Sequence, residues 1–236
     1  MLGIVVALPW ELKSLTREKI APGSAKLIAP GTLIAVSGMG GERARDAFAL
    51  LIAQGATALM SWGYAAALDE RLSAGCLVLP ERVIGAGGES YPVAVEWHER
   101  LYIAAAFKLP VWTGALVECA AVVATAAEKR ALAERTGAAS ADMESAAHAR
   151  AAAERGLPYV AVRSILDTAS TEIPEAVLQA RDAHGGVDIA KVLGACRSPA
   201  DWIKLFRLAC QFRAAQRTLK RARRFALDSS PVRVAV

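Results

Sequence analysis

Acidic side chains in two segments of this 236-residue sequence are the groups best suited to acid–base chemistry. Asp142, Met143 and Glu144 stand at the start of an alanine-rich helical pattern, and Asp167 follows an apolar run that predicts a strand. In α/β proteins, ligands bind at the carboxyl ends of the strands. A lone acid at a helix start is, alternatively, only a favourable partner of the helix dipole. Neither segment alone identifies a site.

A glycine cluster at residues 38–41 follows a predicted strand and opens a predicted helix. Backbone N–H groups at such a helix N-terminus point toward any anionic ligand bound there. A dinucleotide fingerprint would require a third glycine at position 43, which is Arg43. The sequence therefore disfavours a nicotinamide-dependent oxidoreductase, and a tight strand-to-helix turn is the simpler alternative.

Short β-rich runs alternate with longer alanine-rich patterns, which predicts an α/β fold. We expect a single three-layer domain with a central mixed β-sheet flanked by helices, and a site at the carboxyl ends of its strands. Strands are predicted over residues 3–8, 26–28, 32–36, 58–62, 76–79 and 159–165. Helices are predicted over residues 41–54, 120–136 and 143–155. Residues 82–102 are predicted as loops or strand excursions over a cleft, and residues 168–186 as a mobile segment.

Composition excludes several classes of protein. With 54% hydrophobic and 22% charged residues, the chain is not disordered, and no apolar stretch reaches the roughly 18 to 20 residues of a spanning helix. Residues 3–8 have no basic residue before them and predict a strand rather than a signal peptide. The four cysteines lack CxxC spacing, and His98, His148 and His184 lack metal-ligand spacing. We expect a cytoplasmic protein without a metal or a cofactor.

The positive charge is concentrated near the C-terminus. Residues 197–227 hold nine Lys and Arg against one acid, a net of +8, which leaves −3 of the total of +5 for the remainder. We therefore predict a domain over residues 1–196 and a basic amphipathic helix and tail over residues 197–236. Three interpretations of that helix stay open: it packs on the body with a solvated basic end, it lies on an anionic membrane surface, or it contacts nucleic acid. No nucleic-acid-binding motif accompanies it, so nucleic acid is not an expected partner.

Taken together, five segments resemble the nucleoside phosphorylase/nucleosidase superfamily, which includes purine nucleoside phosphorylase and methylthioadenosine/S-adenosylhomocysteine nucleosidase. The resemblance extends to about residue 175. The matching segments are the opening strand leading to Glu11, the turn at 38–41, the stretch 61–68 running on to 74–79, the triplet 142–144, and residues 163–169. The Asp-Met-Glu triplet and the Asp167 segment, in that order and separation, are the specific part.

The resemblance implies cleavage of the N-glycosidic bond of a purine nucleoside. It implies that Met143 packs under the ribose, that Glu144 accepts hydrogen bonds from its hydroxyls, and that Asp167 protonates or hydrogen-bonds N7 of the purine. Glu11 would activate the attacking water. Ser61, Gly63, Tyr64 and Arg43 are the other residues expected to bind the substrate.

Physical chemistry is consistent with these roles. Breaking the C1′–N9 bond leaves positive charge on the sugar and negative charge on the base, so the base needs an acid. An aspartic acid can donate near pH 7 only if burial raises its pKa, whereas Glu144 must stay ionised to accept. An acid and a base on opposite faces, with room for one water, is also the arrangement of an inverting glycosidase.

Two departures from the family bear on the reaction. The Ser-Gly-Asp motif of the nucleosidases corresponds here to Thr113, Gly114, Ala115 and Leu116, so base contacts on that side differ. Phosphorylases bind phosphate through an arginine and a serine in the segment that here has Ser61 and Tyr64. Loss of a bidentate phosphate ligand favours hydrolysis. Arg43 and the turn at 38–41 leave phosphorolysis, with phosphate as co-substrate, as the alternative.

A subgroup associated with hopanoid synthesis is thought to remove adenine from an adenosylated hopane. The alanine-rich body and the basic tail fit a substrate with a long apolar 5′ group at a membrane surface. We therefore expect release of adenine from an adenosine-like nucleoside with a modified 5′ group, by a protein that is cytoplasmic or peripheral at the inner membrane surface. The resemblance to the superfamily also implies a homo-oligomer. A non-catalytic nucleoside-binding protein on the same fold is the second alternative.

Overall fold

The structure, a computed structural model, describes residues 1–180 and 187–231. Its strands, in chain order, are β1 (Leu2–Val6), β2 (Ser24–Ala29), β3 (Thr32–Val36), β4 (Ala58–Ala67), β5 (Leu77–Val78), β6 (Arg82–Ile84), β7 (Ser90–Pro92), β8 (Val111–Trp112), β9 (Leu116–Glu118), β10 (Ser140–Asp142) and β11 (Tyr159–Asp167). Its helices are α1 (Pro9–Leu15), α2 (Gly41–Ala53), α3 (Val95–Ala106), α4 (Ala126–Thr136), α5 (Ser145–Ala153), α6 (Glu175–Gln179), α7 (Ile189–Ala195) and α8 (Pro199–Asp228).

One mixed sheet organises the fold. Its order is β2-β3-β1-β4-β10-β9-β6-β7, and β11 pairs with β4 and with β5, which in turn pairs with β8. Strands β1, β3, β4 and β11 are parallel neighbours and almost wholly buried, as continuous apolar runs in parallel sheets are. Helices cover this sheet, and the predicted α/β class with a mixed sheet flanked by helices is confirmed.

Parallel pairing brings the carboxyl ends of these strands to one edge of the sheet. β1 leads there into α1, β3 into the glycine turn before α2, and β11 ends at Asp167. The register places Arg163 of β11 opposite Gly63 of β4. Residues far apart in the chain are thereby brought to one edge, where ligand sites of α/β sheets form.

Helix α8 divides into two halves. In the second half, Ala215, Leu219 and Ala222 are buried in the main core, and the helix packs on α1 and β11. In the first half, Trp202, Ile203 and Phe206 are exposed, Phe206 by 69%. The predicted division into a domain over residues 1–196 and a separate helix and tail over residues 197–236 stays a prediction. Within residues 1–180 and 187–231, no helix is long and apolar enough to span a bilayer.

Several predicted elements need correction. The segment 82–102, predicted as loops or strand excursions, contains the strands β6 and β7, but it also contains most of α3, which was not predicted. Trp97, Leu101 and Ala105 share one buried face of that helix. Helix α4 begins at Ala126 rather than 120, where Thr125 and Glu128 form a capping box. The segment predicted as mobile contains α6, and its residues 181–186 lie outside the described part of the chain.

Candidate active site

Glu11 is held at the N-terminus of α1 by three backbone donors. Its Oε2 accepts from the amides of Ala7 and Leu8, each at 2.8 Å, and its Oε1 accepts from the amide of Tyr64 at 3.1 Å. The side chain can reach back because the first turn of a helix leaves its N–H groups unpaired. Burial raises the pKa of Glu11, while the charge of Arg163 and these amides oppose the rise. The first strand, predicted over residues 3–8, ends at Val6, and Glu11 lies beyond it within helix α1.

Gly63 of β4 lies very close to the carboxyl group of Glu11. A Cβ atom at this position would lie 2.3 Å from Glu11 Oε1, closer than any nonbonded contact tolerates. Glycine is therefore required here for a close approach. The role of Gly63 in substrate binding stays a prediction.

Arg163 is the centre of a buried polar network. Its Nε lies 2.8 Å from Asp142 Oδ2, and its Nη2 donates to Ser61 Oγ at 2.5 Å and to Ser145 Oγ at 2.8 Å. Asp142 also accepts from the amide of Ser145. Because Arg163 and Asp142 are both almost fully buried, each requires the other as a charge partner.

Ser61 and His148 extend the network toward Glu11. Ser61 Oγ lies 2.9 Å from His148 Nδ1, and the imidazole packs on the ring of Phe48. Burial and the charge of Arg163 lower the pKa of His148 well below its usual value, so the ring is neutral. Ser61 accepts from Arg163 and can therefore donate to Nδ1, which leaves the ring proton on Nε2. Among the described residues, this buried Nε2 has no hydrogen-bond partner.

Glu144 lies across from the glycine turn. Its Oε1 accepts from the amide of Gly40 at 3.1 Å, and Gly40 has a φ of +99°, a conformation that favours glycine. Burial and the charges of Asp142 and Glu11 raise the pKa of Glu144. The expected ionised form is thus disfavoured by these surroundings, and hydroxyl donors from a ligand would be needed to favour it.

These residues surround a small cleft. The lining residues are Val5, Ala7, Glu11, Ser61, Trp62, Tyr64, Glu144, His148 and Arg163. The predicted residues Glu11, Ser61, Tyr64 and Glu144 are thus brought together. Met143 is half-buried next to Glu144, and Arg43 is exposed in the first turn of α2, outside the lining.

Asp167 is not among the lining residues; it lies four residues beyond Arg163 along β11, in an ion pair with Lys129 of α4. Lys129 Nζ lies 2.5 Å from Asp167 Oδ2 and donates at 2.8 Å to the carbonyls of Thr168 and Thr171. The lysine is fully buried. Burial raises the pKa of Asp167, and the ammonium of Lys129 opposes the rise.

Aromatic side chains border the cleft on the side of α8. Phe212 packs with Tyr64, ring centroids 5.7 Å apart, and with Trp10, at 6.2 Å. Burial and the charge of Glu11 raise the pKa of Tyr64, so its hydroxyl stays protonated. Within the described part of the chain that hydroxyl is buried without a partner. Tyr64 therefore offers a donor to a ligand.

Sequence reasoning placed Asp142 in the acidic triplet and Arg163 in the matching segment 163–169, without a specific role for either. It gave no role to Lys129 or Ser145, and it treated His148 as background. The sequence offered a reason to single out Arg163, because an arginine inside a buried apolar strand requires an acidic partner. It offered one for His148 too, because that residue lies one helical turn beyond Glu144. No sequence pattern distinguishes Lys129, because it stands in a charged helix segment beside Glu128 and Arg130. In residues 1–180 and 187–231, no three His, Cys, Asp or Glu are grouped to hold a metal ion.

Comparisons with known proteins place this chain in a family. The family model described as the Phosphorylase superfamily matches residues 2–195. The chain belongs to that superfamily, which makes it an enzyme of the nucleoside phosphorylase or nucleosidase type and confirms the resemblance at that level. No curated protein matches the chain.

Solved structures share the fold at low identity. Futalosine hydrolase of Helicobacter pylori is 16% identical with a TM-score of 0.73, covering 97% of each chain. The 5′-methylthioadenosine/S-adenosylhomocysteine nucleosidase of Neisseria meningitidis, in complex with methylthio-immucillin-A, is 16% identical with a TM-score of 0.73, covering 97% of this chain and 99% of that one. The S-adenosylhomocysteine nucleosidase of Streptococcus pyogenes is 18% identical with a TM-score of 0.70, covering 98% and 97%.

Proposed function

We propose that the protein hydrolyses the N-glycosidic bond of an adenosine-like nucleoside with a modified 5′ group and releases adenine. The observation that carries the proposal is the Glu11 carboxyl, fixed by three backbone amides and by Gly63 beside Arg163 in the cleft. A carboxyl placed so rigidly, with a cation favouring its charged form, suits a general base.

In this mechanism Glu11 takes a proton from a water molecule whose oxygen bonds to C1′. The C1′–N9 bond breaks, its electron pair goes to the purine, and the proton of Asp167 goes to N7. Met143 packs under the ribose, and Glu144 accepts from the ribose hydroxyls. Gly63 leaves room for the Glu11 carboxyl, while Ser61 and Tyr64 bind on the same side. Each proton transfer contributes roughly 10² to 10⁴ in rate.

Hydrolysis is favoured over phosphorolysis by the charges in the cleft. Glu11 and Glu144 both line it, and either carboxyl group in its ionised form would repel a phosphate dianion. The donors of Arg163 already bond to Asp142, Ser61, Ser145 and the carbonyl of Val162. Phosphorolysis would instead need a phosphate site formed by the turn at 38–41 and Arg43.

The first experiment is base release by the purified protein from adenosine, methylthioadenosine, S-adenosylhomocysteine and an adenosylated hopane, each with and without phosphate. Release of free sugar without phosphate supports hydrolysis. Phosphate-dependent formation of a sugar 1-phosphate would establish the phosphorylase instead. Binding without release of any base would establish the non-catalytic alternative. No cofactor needs to be added in any arm.

An apolar 5′ group is supported by the aromatic cluster of Trp10, Tyr64 and Phe212 beside the cleft. For a lipid-linked nucleoside such as an adenosylated hopane, the first half of α8 supplies a membrane contact. There Trp202 and Phe206 are exposed close to Lys204 and Arg207. Such segments bind anionic interfaces. The test is co-sedimentation with phosphatidylglycerol vesicles. A protein that stays in the supernatant and cleaves only small nucleosides would contradict the lipid substrate.

We also propose a homo-oligomer. Ile103 and Phe107 are exposed on or next to α3, Phe107 by 90%, and such apolar side chains are commonly covered by another subunit. Analytical ultracentrifugation of the wild type and of Phe107→Ser tests this contact. A wild type that sediments as a monomer at micromolar concentration would contradict it.

A further inference from the structure

The buried pair of Lys129 and Asp167 has no part in the mechanism above beyond the proton of Asp167. Lys129 Nζ has three protons, and all three have acceptors: Asp167 Oδ2, the Thr168 carbonyl and the Thr171 carbonyl. The ammonium therefore has no donor left for a substrate. It acts on Asp167 and on the turn that follows β11.

A lysine with no exposed surface is costly, because its charge leaves water. A packing role alone would be served by an apolar side chain of similar length. The three acceptors also fix the position of the charge, since the two carbonyls hold Nζ against the carboxyl. Among the described residues Lys129 is the charged group that acts on Asp167, and the other side chain bonded to this turn, Gln211, is neutral.

We propose that Lys129 is a positioning residue that orients Asp167 and stabilises the carboxylate formed when Asp167 gives its proton to the purine. The inference rests on the proposed function. In the step, the O–H bond of Asp167 breaks, the N7–H bond forms, and the C1′–N9 electron pair goes to the base. Lys129 keeps its three protons throughout. Its charge makes Asp167 a stronger acid.

Removal of that charge has two consequences with definite signs. Without Lys129, the charge and the side-chain hydrogen bond that oppose the effect of burial are lost, so the pKa of Asp167 rises further. Asp167 is then a weaker donor, and kcat falls where Asp167 is protonated. It also stays protonated to higher pH, so the decline of kcat on the alkaline side moves to higher pH.

The test compares Lys129→Met with Lys129→Arg and with Arg130→Met, which removes an exposed charge from the next position of the same helix. We expect Lys129→Met to lower kcat by roughly 10- to 100-fold, within the range of one proton-transfer group. We expect the alkaline limb of this variant, the pH range in which kcat declines on the alkaline side, to shift upward by about one pH unit or more, the effect of one nearby charge. Lys129→Arg should retain most of kcat and the wild-type pH position of the alkaline limb. Arg130→Met should match the wild type in both. A lower kcat of Lys129→Met without a shift of the alkaline limb would overturn the proposal. Equal effects of Lys129→Met and Lys129→Arg would overturn it as well.

Two measurements keep the test independent of folding and of substrate. If Lys129→Met is unstable, the double variant Lys129→Met/Asp167→Asn should recover part of the lost Tm, because it removes the unpaired carboxyl; additive losses would overturn the pairing. Titration of ¹³C-labelled aspartate, with Asp167→Asn for assignment, measures the pKa of Asp167 without a substrate. Equal values in the wild type and Lys129→Gln would overturn the proposal. Absence of base release by the wild type would overturn the proposed function and leave this comparison valid.

Discussion

Glu11 and Gly63 fit together so closely that a single added carbon would separate them: the Cβ of any residue at position 63 would lie 2.3 Å from Glu11 Oε1. Gly63→Ala must therefore displace the carboxyl from the amides that hold it. We expect kcat to fall about 10²-fold or more, the cost of misplacing one proton-transfer group. Steady-state kinetics of base release measures this.

Gly194 is the matched control for that substitution. It lies in α7, and nothing stands within 4 Å of an added Cβ. Alanine is the better helix former there by about 1 kcal/mol, so Gly194→Ala should keep kcat and slightly raise Tm. Full activity of Gly63→Ala would refute the role assigned to the contact.

Glu11→Gln tests the carboxyl itself. The amide has one acceptor oxygen in place of two, so its NH₂ group would face the amide N–H groups now bonded to the carboxylate. We expect kcat to fall roughly 10²- to 10⁴-fold with a modest loss of Tm. Glu134→Gln, at an exposed position of α4, is the control. A kcat within a few fold of wild type would remove Glu11 from the role of base.

The fold could be predicted from sequence because its signals are local: continuous apolar runs indicate buried parallel strands. The predicted residues that line the cleft, Glu11, Ser61, Tyr64 and Glu144, came from the family resemblance rather than from local patterns. The partners of these residues arise from register, which the sequence does not show. Arg163 faces Gly63 and Ser61 only because β11 pairs in parallel with β4. Lys129 reaches Asp167 only because α4 ends its first turn beside the turn after β11.

The buried pair of Arg163 and Asp142 should dominate stability near the cleft. Arg163→Met leaves Asp142 as an uncompensated buried charge, which costs about 3–5 kcal/mol. The exposed pair of Arg150 and Glu89 has a similar 2.8 Å separation, but exposed pairs contribute only about 0–1 kcal/mol. Urea unfolding of Arg163→Met and Arg150→Met compares the two. Similar losses in both variants would show that burial does not set the strength of these pairs.

Asp167→Asn separates catalysis from binding. An amide cannot give a proton to N7, so we expect kcat to fall roughly 10²- to 10⁴-fold while the Kd for a nucleoside changes little. At pH values where Asp167 is ionised in the wild type, Tm should also fall, because Lys129 then loses its charge partner in a buried position. Asp188→Asn, at the exposed N-cap of α7, is the control, since asparagine caps as well as aspartate. Unchanged turnover would exclude Asp167 as the acid.

Glu144 should make the stability of the protein depend on pH. Its folded pKa is raised by burial and by Asp142 and Glu11, so the folded protein retains a proton that the unfolded chain releases above about pH 4.3. The unfolded state then binds fewer protons, and stability falls as pH rises. Glu144→Gln removes this loss. We expect the Tm of Glu144→Gln to equal that of wild type near pH 4 and to exceed it increasingly between pH 5 and neutrality, whereas Glu99→Gln, at an exposed position of α3, should follow wild type throughout. A difference in Tm that stays constant with pH would mean that Glu144 is already ionised in the folded protein.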